Sequence, residues 1–214
     1  LALAGTVVAP AWDLAGAAIG AMTPLLAWFA GWPGAVFEAA APPLALGVVA
    51  LCGAALLAMR LPLGLRTLGL PLVLPALLLQ PPRPAPGTFE LLAADVGQGN
   101  AVLVRTARHS LLYDTGPVFV GSYDAGASVV APYLLSQGVR RIDRMMISHA
   151  DNDHSGGAPS VRRLLTVDDE LGALTPHPCH DGQHWEWDGV GFEVLHPNDG
   201  DWNTNNGGCV LRIE

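Results

Sequence analysis

An α/β domain preceded by apolar helices is the architecture this sequence predicts, and three observations predict it. Residues 1–86 carry only Asp13, Glu38, Arg60, Arg66 and Arg83, whereas residues 87–214 hold all seven histidines and most of the acids and arginines. The stretch Pro81-Pro82-Arg83-Pro84-Ala85-Pro86-Gly87 between them cannot propagate a helix, because its prolines lack amide donors. Beyond it, short apolar runs bounded by turn residues give way to helical spacing, the pattern of an α/β fold. The expected organisation is therefore apolar membrane segments over 1–80, an extended linker over 81–87, and the α/β domain over 88–214.

Residues 39–59 are 21 uncharged residues, and at about 1.5 Å per residue a helix of that length crosses the roughly 30 Å of bilayer hydrocarbon. A second apolar stretch, 61–79, is interrupted by Pro71 and Pro75, with Arg66 placed to snorkel. Arg60 and Arg66 bracket the short connection and by the positive-inside tendency hold it in the cytoplasm, sending the second region to the far side; Arg83 argues the other way. Over 14–32, Ile19, Met22, Leu25, Leu26 and Phe29 recur at helical spacing, with Trp28 and Trp32 at one end. That segment either spans the bilayer, packed by small residues, or lies in its interface. The chain opens at Leu1, without Met, in apolar sequence. It reads as a piece of a longer membrane protein, with residues 1–11 the tail of an earlier span.

In the second region the pattern predicts strands over 89–93, 101–106 and 110–116, joined by turns at Asp95-Val96-Gly97-Gln98-Gly99-Asn100 and at Arg108-His109. Gly97 and Gly99 permit a bend that turns the Asp95 carboxylate back over the sheet end. A helix over 128–137 carries Val129, Val130, Tyr133 and Leu134 on one face and stops at Gly138. The run Arg144-Met145-Met146-Ile147 is a buried strand, and a helix follows Pro159 to near Leu165.

Between that strand and helix lies Ser148-His149-Ala150-Asp151-Asn152-Asp153-His154-Ser155-Gly156-Gly157. Imidazoles and carboxylates alternating along a turn can address two divalent ions about 3.5–4 Å apart, the spacing of two-metal hydrolases. Strand, ligand loop and helix is also where α/β folds place chemistry. Two other chemistries are excluded. No Lys follows the Gly-x-Gly turn, as a P-loop requires, and Asp114-Thr115-Gly116 occurs once, whereas an aspartic protease needs two such carboxylates.

Phe89 to Gly116, His149 to Gly157, and Trp185-Glu186-Trp187-Asp188-Gly189-Val190-Gly191-Phe192-Glu193-Val194-Leu195-His196-Pro197 together resemble the metallo-beta-lactamase-like domain of the bacterial ComEC competence family, the DNA uptake channels of natural transformation. Asp-Val-Gly-Gln-Gly followed by Ser-His-x-Asp-x-Asp-His-x-Gly-Gly carries the likeness. The resemblance implies a metallo-beta-lactamase-like αββα sandwich, C-terminally incomplete here, preceded by transmembrane helices. It places His149 as first metal ligand, Asp151 where a second His commonly stands, and Asp153 and His154 completing the set, with Asp153 also catalytic. An oxygen donor at 151 shifts preference from Zn²⁺ toward Mn²⁺ or Mg²⁺. The expected cofactors are two divalent ions, Mn²⁺ foremost, His149 and Asp151 serving one and Asp153 and His154 the other. Asp95, Asp114 and Asn205 are expected to shape the site, although Asn205-Asn206-Gly207-Gly208 is read equally well as a plain turn. Asn100, where the family often has an acidic or small residue, has no clear role. A strand ending Gly-Asp follows Glu214 in the family and supplies a bridging carboxylate, so the chain alone is expected to show weak activity or none.

The resemblance further implies a multi-pass protein of the bacterial inner membrane, the second region extracytoplasmic, with single- or double-stranded DNA and other competence proteins as partners. On that side of the membrane Cys179 and Cys209 can form a disulfide, leaving Cys52 as a small apolar residue in a helix. His109 and His196 read as surface or turn residues, and Trp185 and Trp187 as one packed face of a strand, with base stacking the lesser use. Arg140, Arg141, Arg144, Arg162 and Arg163 flank the ligand loop, but the chain's net charge of −8 argues against a broad electropositive groove. Three functions follow: hydrolysis of one strand of incoming DNA, a noncatalytic metal- or DNA-binding module gating the channel, or hydrolysis of a small ester.

Overall fold

The computed structural model describes residues 2–32, 34–119, 123–198 and 205–214, with side chains from Ala11 onward. Contacts divide the chain into two compact units, residues 1–38 and 39–214. The first unit is a helix, α1 (Ala2–Ala30), so the expected break between residues 11 and 14 is absent. Ala11–Ala30 is the one helix among the described residues long and apolar enough to cross a membrane.

The second unit starts with an apolar helical pair, α2 (Leu44–Ala58) against α3 (Leu63–Arg66), a 3₁₀ turn (Thr67–Gly69) and α4 (Leu70–Leu77). The helix expected over 39–59 is shorter than that. Pro42 and Pro43 keep residues 39–43 out of the helix, and the 15 residues that remain reach only about 22 Å. Arg66 Nε donates to the Leu57 carbonyl at 2.9 Å, satisfying an open group at the end of α2.

The Pro-rich segment is extended but fastened down. The buried Arg105 side chain donates to the Pro82 carbonyl, and Arg83 Nη1 donates to the His109 carbonyl at 3.1 Å and to Ser110 Oγ at 2.9 Å. The Gly87 amide donates to the Asp188 carbonyl at 2.7 Å. Burial and the neighbouring Arg105 charge lower the Arg83 pKa.

Among the described residues ten strands follow: β1 (Glu90–Ala93), β2 (Val102–Arg105), β3 (Ser110–Tyr113), β4 (Arg141–Ile142), β5 (Arg144–Ile147), β6 (Thr166–Val167), β7 (Glu170–Gly172), β8 (His184–Trp187), β9 (Val190–His196) and β10 (Val210–Ile213). They form a five-stranded sheet in the order β1-β2-β3-β5-β7, a three-stranded sheet β10-β9-β8, and a small β4-β6 pair. In the large sheet β1, β2 and β3 are antiparallel neighbours, while β3-β5 and β5-β7 are parallel. A π-helical turn (Gly126–Val130) leads into α5 (Ala131–Ser136), and α6 (Asn152–Ser155) and α7 (Ala158–Leu164) follow β5.

The continuous apolar runs of β2, β3 and β5 are explained by burial on both faces. Leu103, Leu112, Met145 and Ile147 pack under the helices with Leu134 and Val161. Val104 and Leu111 face Val190 and Phe192 of the small sheet, and Met146 meets Val194 and the two half-cystines. The described residues thus stack a helix layer on two sheets. The parallel β5 points its C-terminal end, and with it Ser148, at the ligand loop.

Candidate metal centre

The site is built where β3 and β5 end side by side. Asp114, the first residue past β3, is fully buried and takes a φ of 60°, a left-handed conformation that Asp tolerates better than most residues. Its Oδ1 accepts the Ser148 amide at 2.7 Å, and its Oδ2 accepts Ser148 Oγ at 2.8 Å and Asn100 Nδ2 at 3.1 Å. His154 Nδ1 completes the set, 2.7 Å from Oδ2. With the carboxylate as acceptor, the proton sits on Nδ1 and the Nε2 lone pair is left for a ligand, the arrangement that orients metal-binding imidazoles.

Asp151 ends the extended chain and α6 begins after it, which brings Asp153 and His154 round to His149 on the first turn. The His149 and His154 rings lie 3.9 Å apart. One ligand atom each from His149, Asp153 and His154 falls within 4.8 Å of the others, a separation that an ion with bonds of roughly 2.1 Å closes by a small shift. Two imidazoles and a carboxylate are a donor set that fits a divalent transition ion. Asp151 stands apart from that trio but reaches His149, its Oδ2 lying 3.7 Å from His149 Nε2. The trio therefore gathers residues that the expected two-by-two division kept separate.

The Gly-Gln-Gly-Asn turn is packed against this loop. The Asn100 amide donates to the Asp153 carbonyl at 3.0 Å, and at Gly99, with φ of 148°, a Cβ would sit 2.4 Å from that same oxygen. Only glycine allows the approach. The exposed Asp95 carboxylate accepts the Gly97 amide at 3.2 Å. Asn205 lies in an exposed turn, and it is Gly208 that stands against the site, where a Cβ would be 3.7 Å from His149 Nδ1.

Cys179 and Cys209 are disulfide-bonded, with Cα atoms 5.9 Å apart. The Cys209 amide donates to the Ser148 carbonyl at 2.8 Å, and Tyr113 OH donates to the Cys209 carbonyl. Burial and the neighbouring Asp114 charge push the Tyr113 phenol up to about 12. A cavity of about 310 Å³ opens beside His149, walled by Ala150, Ala173, Pro178, Pro197 and the disulfide. Ser148, Asn100 and Tyr113 are the residues that sequence reasoning missed. For Ser148 and Asn100 the signal was adjacency, one preceding His149 and the other following the Gly-Gln-Gly turn.

The flanking arginines are engaged elsewhere. Arg141 pairs with Asp168, Arg144 with Asp169, and Arg162 with Glu170 through two contacts, while Arg163 donates to Ser160 Oγ at 2.9 Å. His109 has the buried Asp188 carboxylate as partner at 3.0 Å.

Residues 94–210 match the Metallo-beta-lactamase superfamily. The chain is 37% identical over 183 residues to competence protein ComA of Neisseria gonorrhoeae, covering 83% of this chain and 26% of that one. It is 31% identical over 135 residues to recombination protein 2 of Haemophilus influenzae, covering 59% of this chain and 17% of that protein. The chain thus spans at most about a quarter of these relatives. A subclass B3 metallo-beta-lactamase isolated from a soil metagenome library aligns at 17% identity with a TM-score of 0.41, covering 63% of this chain and 58% of that one.

Proposed function

Because the chain belongs to the metallo-beta-lactamase superfamily, we propose that it is the metal-dependent hydrolase portion of a membrane-associated DNA uptake protein, cleaving phosphodiester bonds in one strand of incoming DNA. The observation that carries the reading is the convergence of His149, Asp153 and His154 on one point, with Asp114 holding His154 Nε2 free. Similarity to competence proteins supports the DNA uptake context, and the apolar Ala11–Ala30 helix supports association with a membrane. The ligand region is assigned to the extracytoplasmic side and DNA and other competence proteins to its partners.

His149, Asp153 and His154 would hold a divalent ion, with Asp151 beside His149 available to a second. Such an ion supplies the Lewis acidity that attack on a phosphodiester needs. Mn²⁺ is favoured because oxygen donors form half of the four-residue set. The chain's own residues do the positioning: Asp114 fixes the His154 tautomer, Ser148 spans Asp114 and both imidazoles, and the disulfide seats Cys209 on Ser148.

Titration calorimetry with Mn²⁺ tests the site, and cleavage of a labelled oligonucleotide by the full-length protein tests the reaction. His149→Ala with Asp153→Ala is expected to abolish both. Unchanged Mn²⁺ affinity in that variant would dismiss the ligand assignment, and metal binding without cleavage of any nucleic acid would favour the gating module.

A further inference from the structure

Past Gly116 the chain forms a short antiparallel pair, residues 117–119 against 123–125, before the π-helical turn. Val118 and Asp124 are bridged antiparallel, and the Phe119 amide donates to the Tyr123 carbonyl at 2.8 Å. Its base is held on both sides. Asp124 is buried and accepts the Ala127 amide at 2.8 Å and Ser160 Oγ at 2.7 Å. Asn152, the residue between Asp151 and Asp153, clamps Val118 by two hydrogen bonds, accepting its amide at 3.1 Å and donating to its carbonyl at 3.0 Å. The pair is thus hydrogen-bonded, through Val118, directly to the ligand loop.

It carries two aromatic rings that pack in no core cluster. Phe119 is 41% and Tyr123 60% exposed, and their centroids lie 5.4 Å apart at an interplanar angle of 32°. Meanwhile Arg141, Arg144 and Arg162 are paired with acids and the chain carries a net −8. A polyanionic strand finds little Coulombic attraction from these side chains, so its affinity must come from another source. Exposed rings offer one, because every base presents a π face and stacking is indifferent to sequence.

We propose that Phe119 and Tyr123 form a stacking platform for the bases of a single-stranded nucleic acid, which presents its backbone phosphate to His149, Asp153 and His154. The proposal rests on the hydrolase reading for the role of the phosphate, and it commits to a single strand because bases paired in a duplex keep their faces covered.

The test is fluorescence anisotropy on the full-length protein with a labelled oligothymidylate of phosphorothioate backbone, an abasic oligomer of equal length, and a duplex, each with Mn²⁺ present. Phe119→Ala with Tyr123→Ala is expected to weaken oligothymidylate binding about tenfold or more while calorimetric Mn²⁺ affinity stays unchanged. Phe119→Trp with Tyr123→Phe is expected to retain binding, and Phe119→Leu with Tyr123→Leu, which keeps apolar bulk without π faces, to lose it. The abasic oligomer and the duplex should bind the unsubstituted protein as weakly as the oligothymidylate binds the alanine variant. Equal binding of thymidylate and abasic strands, full binding by the leucine pair, or no strand binding at all would each overturn the platform. A protein that binds the strand through these rings but takes up no Mn²⁺ would keep the platform and remove the hydrolase reading.

Discussion

Oδ2 of Asp114 lies 2.7 Å from Nδ1 of His154, and the same carboxylate group accepts both the amide and the hydroxyl of Ser148. One buried acid therefore sets the orientation of an imidazole and the end of the strand that carries the ligand loop. Replacing it removes the group that selects the His154 tautomer. Asp114→Ala is expected to lower Mn²⁺ affinity by about 10- to 100-fold, read by titration calorimetry. Asp114→Asn should retain more of the fold, because its amide oxygen can still accept from Ser148.

Asn100 is held between two parts of the site, donating to Asp114 from its side chain and to the Asp153 carbonyl from its backbone. Asn100→Ala should cost about 1–2 kcal/mol in urea denaturation, since a buried acceptor loses a donor. Asn100→Asp should cost more, because it sets a second carboxylate where the amide now stands 3.1 Å from Asp114.

The Cys179–Cys209 bond closes a 30-residue separation, which the chain-entropy account puts at about 3–4 kcal/mol of stability. Denaturation with and without a dithiol reductant should show that difference. Weaker Mn²⁺ binding should accompany it, because the bond seats the Cys209 amide on the Ser148 carbonyl.

Asp188, also in the left-handed region at φ of 55°, fastens the turn between β2 and β3 to the turn between β8 and β9. Burial raises its pKa, but hydrogen bonds from Thr106, Arg108 and His109 outweigh that and hold it below the ordinary value of 3.8. The sign follows from linkage: a depressed folded pKa gives stability that is complete above 3.8 and drains away as acid protonates the carboxylate. Asp188→Asn should lower the melting temperature at neutral pH by about 5 °C or more. It should also flatten the loss of stability between about pH 4 and pH 2 seen in the unsubstituted protein.

Much of this was legible in the chain itself. The strands over 90–93, 102–105, 110–113 and 144–147 announce themselves by β-type apolar runs between turn residues, and the ligand loop by the density of His and Asp after Ile147. The two- and three-residue strands β4, β6 and β7 carry no period to detect. Pro42 and Pro43 set the start of α2, a cue that the unbroken lack of charge from 39 to 59 hides. Asn100 and Ser148 offered only their adjacency to the Gly-Gln-Gly turn and to His149, and the His109–Asp188 pair nothing, because the partners are ones that only the folded chain brings close. The same holds for the ligand trio, whose grouping depends on α6 starting at Asn152 rather than on spacing alone.

The route from the apolar helices to the β-sheets passes through residues gripped by Arg83 and Arg105. A tether of that composition, left free, would let the two ends swivel independently and absorb any displacement. Here it is held at Pro82 and against Ser110 instead. Arg83 thereby anchors the segment that follows the helical pair to Ser110, the first residue of the strand that leads into Asp114.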